Sequence, residues 1–226
     1  MDLFIALLAL HIIGGTVAVI SGGSAQFFAK GKLAHKYVGL AFMGSILVLG
    51  VSGAIVAVLR DIPLSLFNGL MISYFVLSSY NTIKQPSKSV NVFDKWLLGI
   101  VLVLFVGFMV VGFQALTSAH GQIGGFGAPA YFIFGACALF CIVADIRFIK
   151  AGGVAGKSRI IRHLWRMFFP LFMSTSAFFL GQAKLFPQAF RKIELLLVPV
   201  VFVMVSMLVW LVIVKFGEKY TERVSS

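Results

Sequence analysis

The sequence has few charged residues, and most of those it has are basic. Only 12% of the 226 residues are charged, and 7 Asp and Glu stand against 19 Lys and Arg. Average soluble domains contain about twice this charged fraction, so the composition excludes an ordinary water-soluble domain. The net charge of +12 does not indicate a nucleic-acid-binding protein, because no basic stretch outside the apolar runs is interleaved with aromatic residues.

Cysteine is scarce, and the motifs of soluble enzymes are absent. The two cysteines, Cys137 and Cys141, lie four residues apart, and on one helix this spacing holds the Cβ atoms too far apart for an unstrained disulfide. The sequence contains no phosphate loop, no Gly-x-Ser-x-Gly, no His-Glu-x-x-His and no Cys-x-x-Cys. Any chemistry must therefore come from isolated polar residues within apolar segments.

Long apolar runs are abundant, and the mean hydropathy is +1.04. A helix of about 20 residues crosses the roughly 30 Å hydrocarbon core of a bilayer, and these runs are continuous rather than alternating, which excludes a β-barrel. We predict an all-α fold in which residues 1–226 form a single transmembrane domain of seven helices. The predicted spans are residues 3–28, 33–59, 62–83, 94–116, 128–149, 161–183 and 193–216.

The basic residues fall at alternate ends of these spans. All but four of the 19 Lys and Arg lie in the first, third and fifth loops and the C-terminal tail, and cytoplasmic loops are the ones enriched in Lys and Arg. We predict that the N-terminus is outside and the C-terminus cytoplasmic, in a bacterial inner membrane whose anionic headgroups contact the basic face. The four exceptions are Arg60, Lys184, Arg191 and Lys192.

Polar and ionisable residues cluster at the level of the predicted cytoplasmic face. Such residues near a membrane core are costly and therefore indicate sites. The candidates are Asn81, Asp94, Asp145, Arg162 and Arg166. The two aspartates are the only acids on that face before the tail, so we predict that they pair with the arginines or with nearby histidines.

Two histidines, His35 and His163, lie at helix starts on that same face, each beside a basic residue. Imidazole titrates near neutrality and can ligate a metal or haem iron. Two histidines on separate helices at one depth are the minimum for a b-type haem with two His ligands. The alternatives are a metal site, a proton relay, or interfacial residues that cap helices and contact headgroups.

A third histidine, His11, lies deeper in the first span and needs a hydrogen-bond partner there. The expected partners are the hydroxyls of Ser52, Ser174 or Ser176, and the role is either a proton relay or ligand, or a purely structural one. Ser174 and Ser176 follow Pro170, which removes a backbone donor from the sixth helix. Their hydroxyls are expected to bond back to freed carbonyls or to line a pathway.

Five short motifs follow one another along the chain: His11–Gly15, Lys30–Gly39, Phe93–Trp96, Arg162–Met167 and Ser176–Gln182. Through them the chain resembles a bacterial family of predicted multi-helix membrane proteins known only as a domain of unknown function. The resemblance covers most of the chain in order. It implies the same membrane architecture and brings no activity with it.

We expect a membrane protein whose histidine-containing polar site binds haem b or a quinone for electron transfer. One alternative is a small-solute or proton-coupled transporter with a path lined by His11, although the chain lacks two matching halves with broken helices. Another is a sensor or an assembly partner. A small-molecule ligand fits the first two functions, and the sequence indicates no oligomeric state.

Overall fold

The computed structural model describes residues 3–217, and it confirms the all-α fold. Its seven helices are α1 (Leu3–Ala25), α2 (Leu33–Leu59), α3 (Pro63–Lys84), α4 (Val92–Thr117), α5 (Ala128–Lys150), α6 (Gly156–Phe179) and α7 (Ile193–Phe216). A two-residue antiparallel hairpin, β1 (Gln122–Ile123) and β2 (Phe126–Gly127), joins α4 to α5. Lys219 and Arg223 of the predicted cytoplasmic tail lie outside the described residues.

The predicted bounds are wrong by more than two residues for two helices. The sixth helix was predicted over residues 161–183, but α6 runs from Gly156 to Phe179. It begins earlier because the Arg159 and Arg162 guanidinium groups in its first turns have acceptors on α3 and α5. The first helix ends at Ala25 rather than residue 28, and the Lys30 ammonium there donates to the carbonyls of Ala25 (3.0 Å) and Gln26 (2.6 Å).

Five helices, α1, α2, α4, α5 and α7, are long and apolar enough to cross a membrane. Their outward surfaces carry many exposed Leu, Ile, Val and Phe side chains, which water would not tolerate but lipid does. The chain is therefore a multi-pass membrane protein. The other two helices are more polar because they lie inside the bundle and present less surface to lipid.

The two central helices, α3 and α6, pack against each other and connect two hydrophobic cores. One core lies among α3, α4 and α5 and includes Phe75 and Phe108. The other lies among α1, α2, α3, α6 and α7 and includes Phe42 and Ile46. Since α3 contributes to both, polar side chains on α3 reach α6 and α5 together.

The backbones of α2 and α3 approach closely at two glycines. A Cβ atom on Gly50 would lie 2.5 Å from the carbonyl oxygen of Gly69, and a Cβ on Gly69 would lie 2.5 Å from that of Gly50. Small residues allow such contacts between membrane helices, where van der Waals packing replaces the hydrophobic effect. Gly44, by contrast, has no atom within 4 Å of its would-be Cβ.

One end of the bundle, here called the basic end, gathers the C-termini of α1, α3, α5 and α7 and the N-termini of α2, α4 and α6. There the Arg159 guanidinium donates to the carbonyls of Thr82 (3.0 Å), Ile83 (2.6 Å) and Gln85 (2.6 Å). These carbonyls lie at the end of α3 and have no partner within the helix. A basic side chain of α6 thus caps α3.

Candidate functional site

A charged cluster is buried between α3, α5 and α6 near the basic end. Asp145 Oδ1 accepts from Arg162 Nη2 at 2.8 Å and from Arg166 Nη2 at 2.5 Å. Asp145 Oδ2 accepts from the Tyr74 hydroxyl at 2.6 Å, and that hydroxyl accepts from Arg166 Nη1 at 2.8 Å. Of the partners predicted for Asp145, the arginines or a histidine, both arginines contact it, and the Tyr74 hydroxyl is a third donor.

Further polar and aromatic groups surround the two guanidinium groups. Arg166 Nη1 donates to Ser78 Oγ at 2.6 Å, and Arg162 Nε donates to Thr82 Oγ1 at 3.0 Å. The Phe148 ring centroid lies 3.9 Å from Arg162 Cζ. Burying an ion pair is costly unless such additional bonds satisfy it, and the cluster holds two cations against one anion. These contacts identify a structural centre that joins three helices.

Asp94 belongs to a different group, which corrects the prediction that it pairs with an arginine or a histidine. Its Oδ1 accepts from Asn81 Nδ2 at 2.8 Å, and its Oδ2 accepts from the Asn91 backbone N–H at 3.0 Å. The Asn91 side chain in turn accepts from the Asp94 backbone N–H at 3.0 Å. This is a capping box at the start of α4, and Asn81 attaches it to α3.

The two predicted ligand histidines, His35 and His163, line the same cavity. The cavity lies at the basic end, has a volume of about 640 Å³, and is bounded by α1, α2, α3, α6 and α7 together with the first loop. Its volume is within the range of roughly 300–1,000 Å³ for small-molecule sites. The apolar part of its lining is formed by Leu40, Phe42, Ile83, Ile160, Leu164, Met167, Phe168, Leu171, Trp210 and Val214.

Hydrogen bonds hold both imidazoles by the same ring atom, Nδ1. His35 Nδ1 donates to the Ala25 carbonyl at 3.2 Å, which requires the proton on Nδ1 and leaves Nε2 with its lone pair. His163 Nδ1 and the His163 carbonyl both lie 2.8 Å from Ser79 Oγ. The single hydroxyl proton satisfies both contacts only if it goes to the carbonyl while Nδ1–H donates to Oγ. Neither Nε2 atom has a hydrogen-bond partner among residues 3–217, so both can ligate or accept.

The mouth of the cavity carries three lysines, Lys30, Lys36 and Lys84, and no acid among residues 3–217 lines it. The Lys30 ammonium, besides its bonds at the end of α1, lies 4.2 Å from the Trp210 ring centroid, and burial lowers its pKa. The cavity is therefore apolar in its body and basic at its mouth. Gln26 Nε2, another lining group, is buried without a partner in the described part of the chain.

The deeper histidine, His11, lies apart from this cavity. Its Nδ1 donates to the Leu49 carbonyl at 3.1 Å, so its partner is a backbone oxygen of α2 rather than a predicted hydroxyl. Ser52 bonds to its own helix at the Val48 carbonyl, at 2.6 Å. The close contact is possible because residue 53 is glycine: a Cβ there would lie 2.8 Å from His11 Cε1.

The hydroxyls that follow Pro170 were expected to bond back to freed carbonyls of the helix, and they do not. The side-chain oxygens of Ser174, Thr175 and Ser176 are buried and have no hydrogen-bond partner among residues 3–217. Removing the Pro170 N–H leaves a carbonyl one turn earlier, near residue 166, which these side chains lie too far along the helix to reach. They remain a group of polar atoms inside α6.

The sequence reasoning missed the contribution of α3. Tyr74, Ser78 and Thr82 are spaced by four residues, so they lie on one face of the helix, and all three contact the arginines of α6. The four-residue spacing of these polar side chains was the available signal. Ser79, next to Ser78, contacts His163 instead.

No protein-family model, curated protein or solved structure matches this chain. Among residues 3–217, no group of three or more His, Cys, Asp or Glu side chains is arranged to hold a metal ion. The cavity and its two histidines are therefore the features that bear on function.

Proposed function

We propose that this membrane protein binds a redox-active, lipid-soluble ligand, either haem b or a quinone, in the cavity at its basic end. The observation that carries the proposal is that His35 and His163, from different helices, line one mostly apolar cavity. A pocket of that kind with a few convergent polar groups is the usual form of a small-molecule site. The two imidazoles supply those polar groups.

The hydrogen bonds to Nδ1 support this function. A histidine that ligates a metal usually donates its other ring N–H to a carbonyl or similar acceptor, which fixes the ring and raises its basicity. His35 and His163 both meet this condition, through Ala25 and Ser79. With haem b the two Nε2 lone pairs would hold the iron; with a quinone in its reduced quinol form they would accept from the hydroxyl groups. Such a ligand would transfer electrons between redox partners in the membrane.

The test is the ligand content of protein purified in mild detergent. We expect a reduced b-type absorption spectrum or a co-purifying quinone, and loss of either in the His35→Ala and His163→Ala variants. His120→Ala is the matched control, since His120 is exposed in the turn before the hairpin. Wild-type protein with neither haem nor quinone would refute the proposal, as would equal loss in the control.

The topology is part of the proposal. We propose that α3 and α6 cross the bilayer with the other five helices, because their 22 and 24 residues reach about 33 and 36 Å at 1.5 Å per residue. The basic end then faces the cytoplasm of a bacterium and contacts anionic headgroups. Membership in the bacterial family that the motifs resemble stays a prediction.

A proton-coupled transporter is the second candidate, and one observation favours it. The buried hydroxyls of Ser174, Thr175 and Ser176 have no partner in the described range, and unsatisfied polar groups inside a membrane protein often line a path. Proteoliposomes with a pH-sensitive dye would test it. Proton flux that is reduced in a Ser174→Ala/Thr175→Val variant would support transport, and dye signals equal to empty liposomes would exclude it.

A further inference from the structure

The three lysines at the mouth of the cavity differ in whether their ammonium groups already have partners. The Lys30 ammonium donates to carbonyls at the end of α1 and lies over Trp210. The ammonium groups of Lys36, in the first turn of α2, and of Lys84, in the last turn of α3, form no hydrogen bond or salt bridge with any residue from 3 to 217. Both are exposed, so two ammonium groups from different helices are available at this opening.

The rest of the opening contains nothing that would balance these charges. No acid within residues 3–217 lines the cavity, and Gln26 Nε2, a lining donor, has no partner among those residues. The charged side chains that line the cavity are therefore all cationic, while apolar side chains from α2, α3, α6 and α7 line its body. A ligand that matches both regions has acidic groups at one edge and an apolar remainder.

From this arrangement we infer that the ligand is an amphipathic diacid of the haem type, and that Lys36 and Lys84 bind its carboxylates. The inference rests on the proposed function and chooses between its two ligands. Haem b has two propionate groups on one edge of an apolar macrocycle, whereas a quinone is neutral. Charged ligand groups and exposed lysines interact by about 0.2–1 kcal/mol per pair, which adds selectivity to binding that the histidines and the apolar walls provide.

The lysines also have a simpler role, because basic residues on this face fix the topology in any case. A matched control separates the two roles. Lys32 lies in the same loop as Lys30, is exposed, and does not line the cavity. Substituting it removes the same charge from the same face without changing the mouth of the cavity.

The experiment compares haem with its dimethyl ester, in which both carboxylates are blocked. Full-length protein from haem-depleted cells, in neutral-lipid nanodiscs, is titrated with each compound and followed by the haem absorption band. In the wild type we expect haem to bind more tightly than the diester. Lys36→Gln and Lys84→Gln should each weaken haem binding about 1.4- to fivefold and leave diester binding unchanged, and Lys32→Gln should affect neither.

The ratio of the two affinities is measured within each variant, so a partly misfolded variant lowers both values and does not imitate the expected result. Equal binding of haem and diester in the wild type would overturn the inference and leave the proposed function intact. Binding of a quinone without haem would do the same. A titration in which neither haem nor quinone binds would refute the proposed function as well.

Discussion

Replacing Asp145 with Asn should destabilise the protein more than any other change of a single charge. The substitution keeps the shape of the side chain and removes the only anion among residues 3–217 that contacts Arg162 and Arg166, whose side chains are 8% and 0% exposed. At an effective dielectric constant of about 20, each ion pair at about 4 Å contributes about 4 kcal/mol, or about 8 kcal/mol for two. Asn avoids the desolvation cost of a buried carboxylate, several kcal/mol. The expected net loss is about 3–5 kcal/mol.

The free energy of unfolding is measured by titration with sodium dodecyl sulfate in mixed micelles. The control is Asp61→Asn, since Asp61 is exposed and its φ of +53° suits Asn; we expect a change within about 0.5 kcal/mol. In a third variant, Asp145→Leu with Arg162→Met and Arg166→Met, much of the loss should be recovered because no charge is left buried. Equal stability of the two Asn variants would refute the reasoning, and so would a triple variant less stable than Asp145→Asn.

Three further predictions concern packing, the cluster and the topology. Gly69→Ala should lower the free energy of unfolding by about 1–3 kcal/mol because the new methyl group overlaps the backbone of α2. Gly44→Ala should leave it unchanged, and the same detergent titration measures both. Tyr74→Phe should lower the free energy of unfolding by about 1–3 kcal/mol, since the buried Asp145 Oδ2 and Arg166 Nη1 lose their hydroxyl partner. A stability equal to the wild type would contradict these hydrogen bonds. In a cysteine-free background, a cysteine at Ser87 should resist an impermeant thiol reagent in intact cells and one at His120 should react, while the opposite pattern would reverse the proposed orientation.

The sequence was sufficient to predict the five most apolar helices, because a helix that crosses a bilayer needs a certain length and an apolar composition. It failed at the start of α6, where Arg159 and Arg162 were assigned to a loop or a helix start because of their charge. In the structure these residues are within the helix, and their side chains reach buried acceptors on α3 and α5. A single-helix pattern cannot show that a charge has a partner on another helix.

The same limit applies to the site. The pairing of Asp145 with the arginines could be predicted from the scarcity of acids alone. The capping role of Asp94 could also have been read from the sequence, since Asn91 three residues earlier is a helix-start signal. The cavity could not be predicted from the sequence, because its walls come from five helices and its volume depends on how they are spaced. Depth along each helix placed His35 and His163 at one level, and only their packing shows that they line one space.

The buried arginines of α6 also restrict the order in which the chain can enter the membrane. An Arg at the centre of a lone helix costs about 2.5–3.5 kcal/mol on insertion, and α6 is not apolar enough to count among the five spanning helices. On the proposed topology, α6 must enter beside α3 and α5, which the ribosome has already released. A chain truncated after α5 would leave Asp145 without its two arginine partners and the Tyr74 hydroxyl without the Arg166 donor. Synthesis of α6 is therefore the step at which the first five helices become a stable unit.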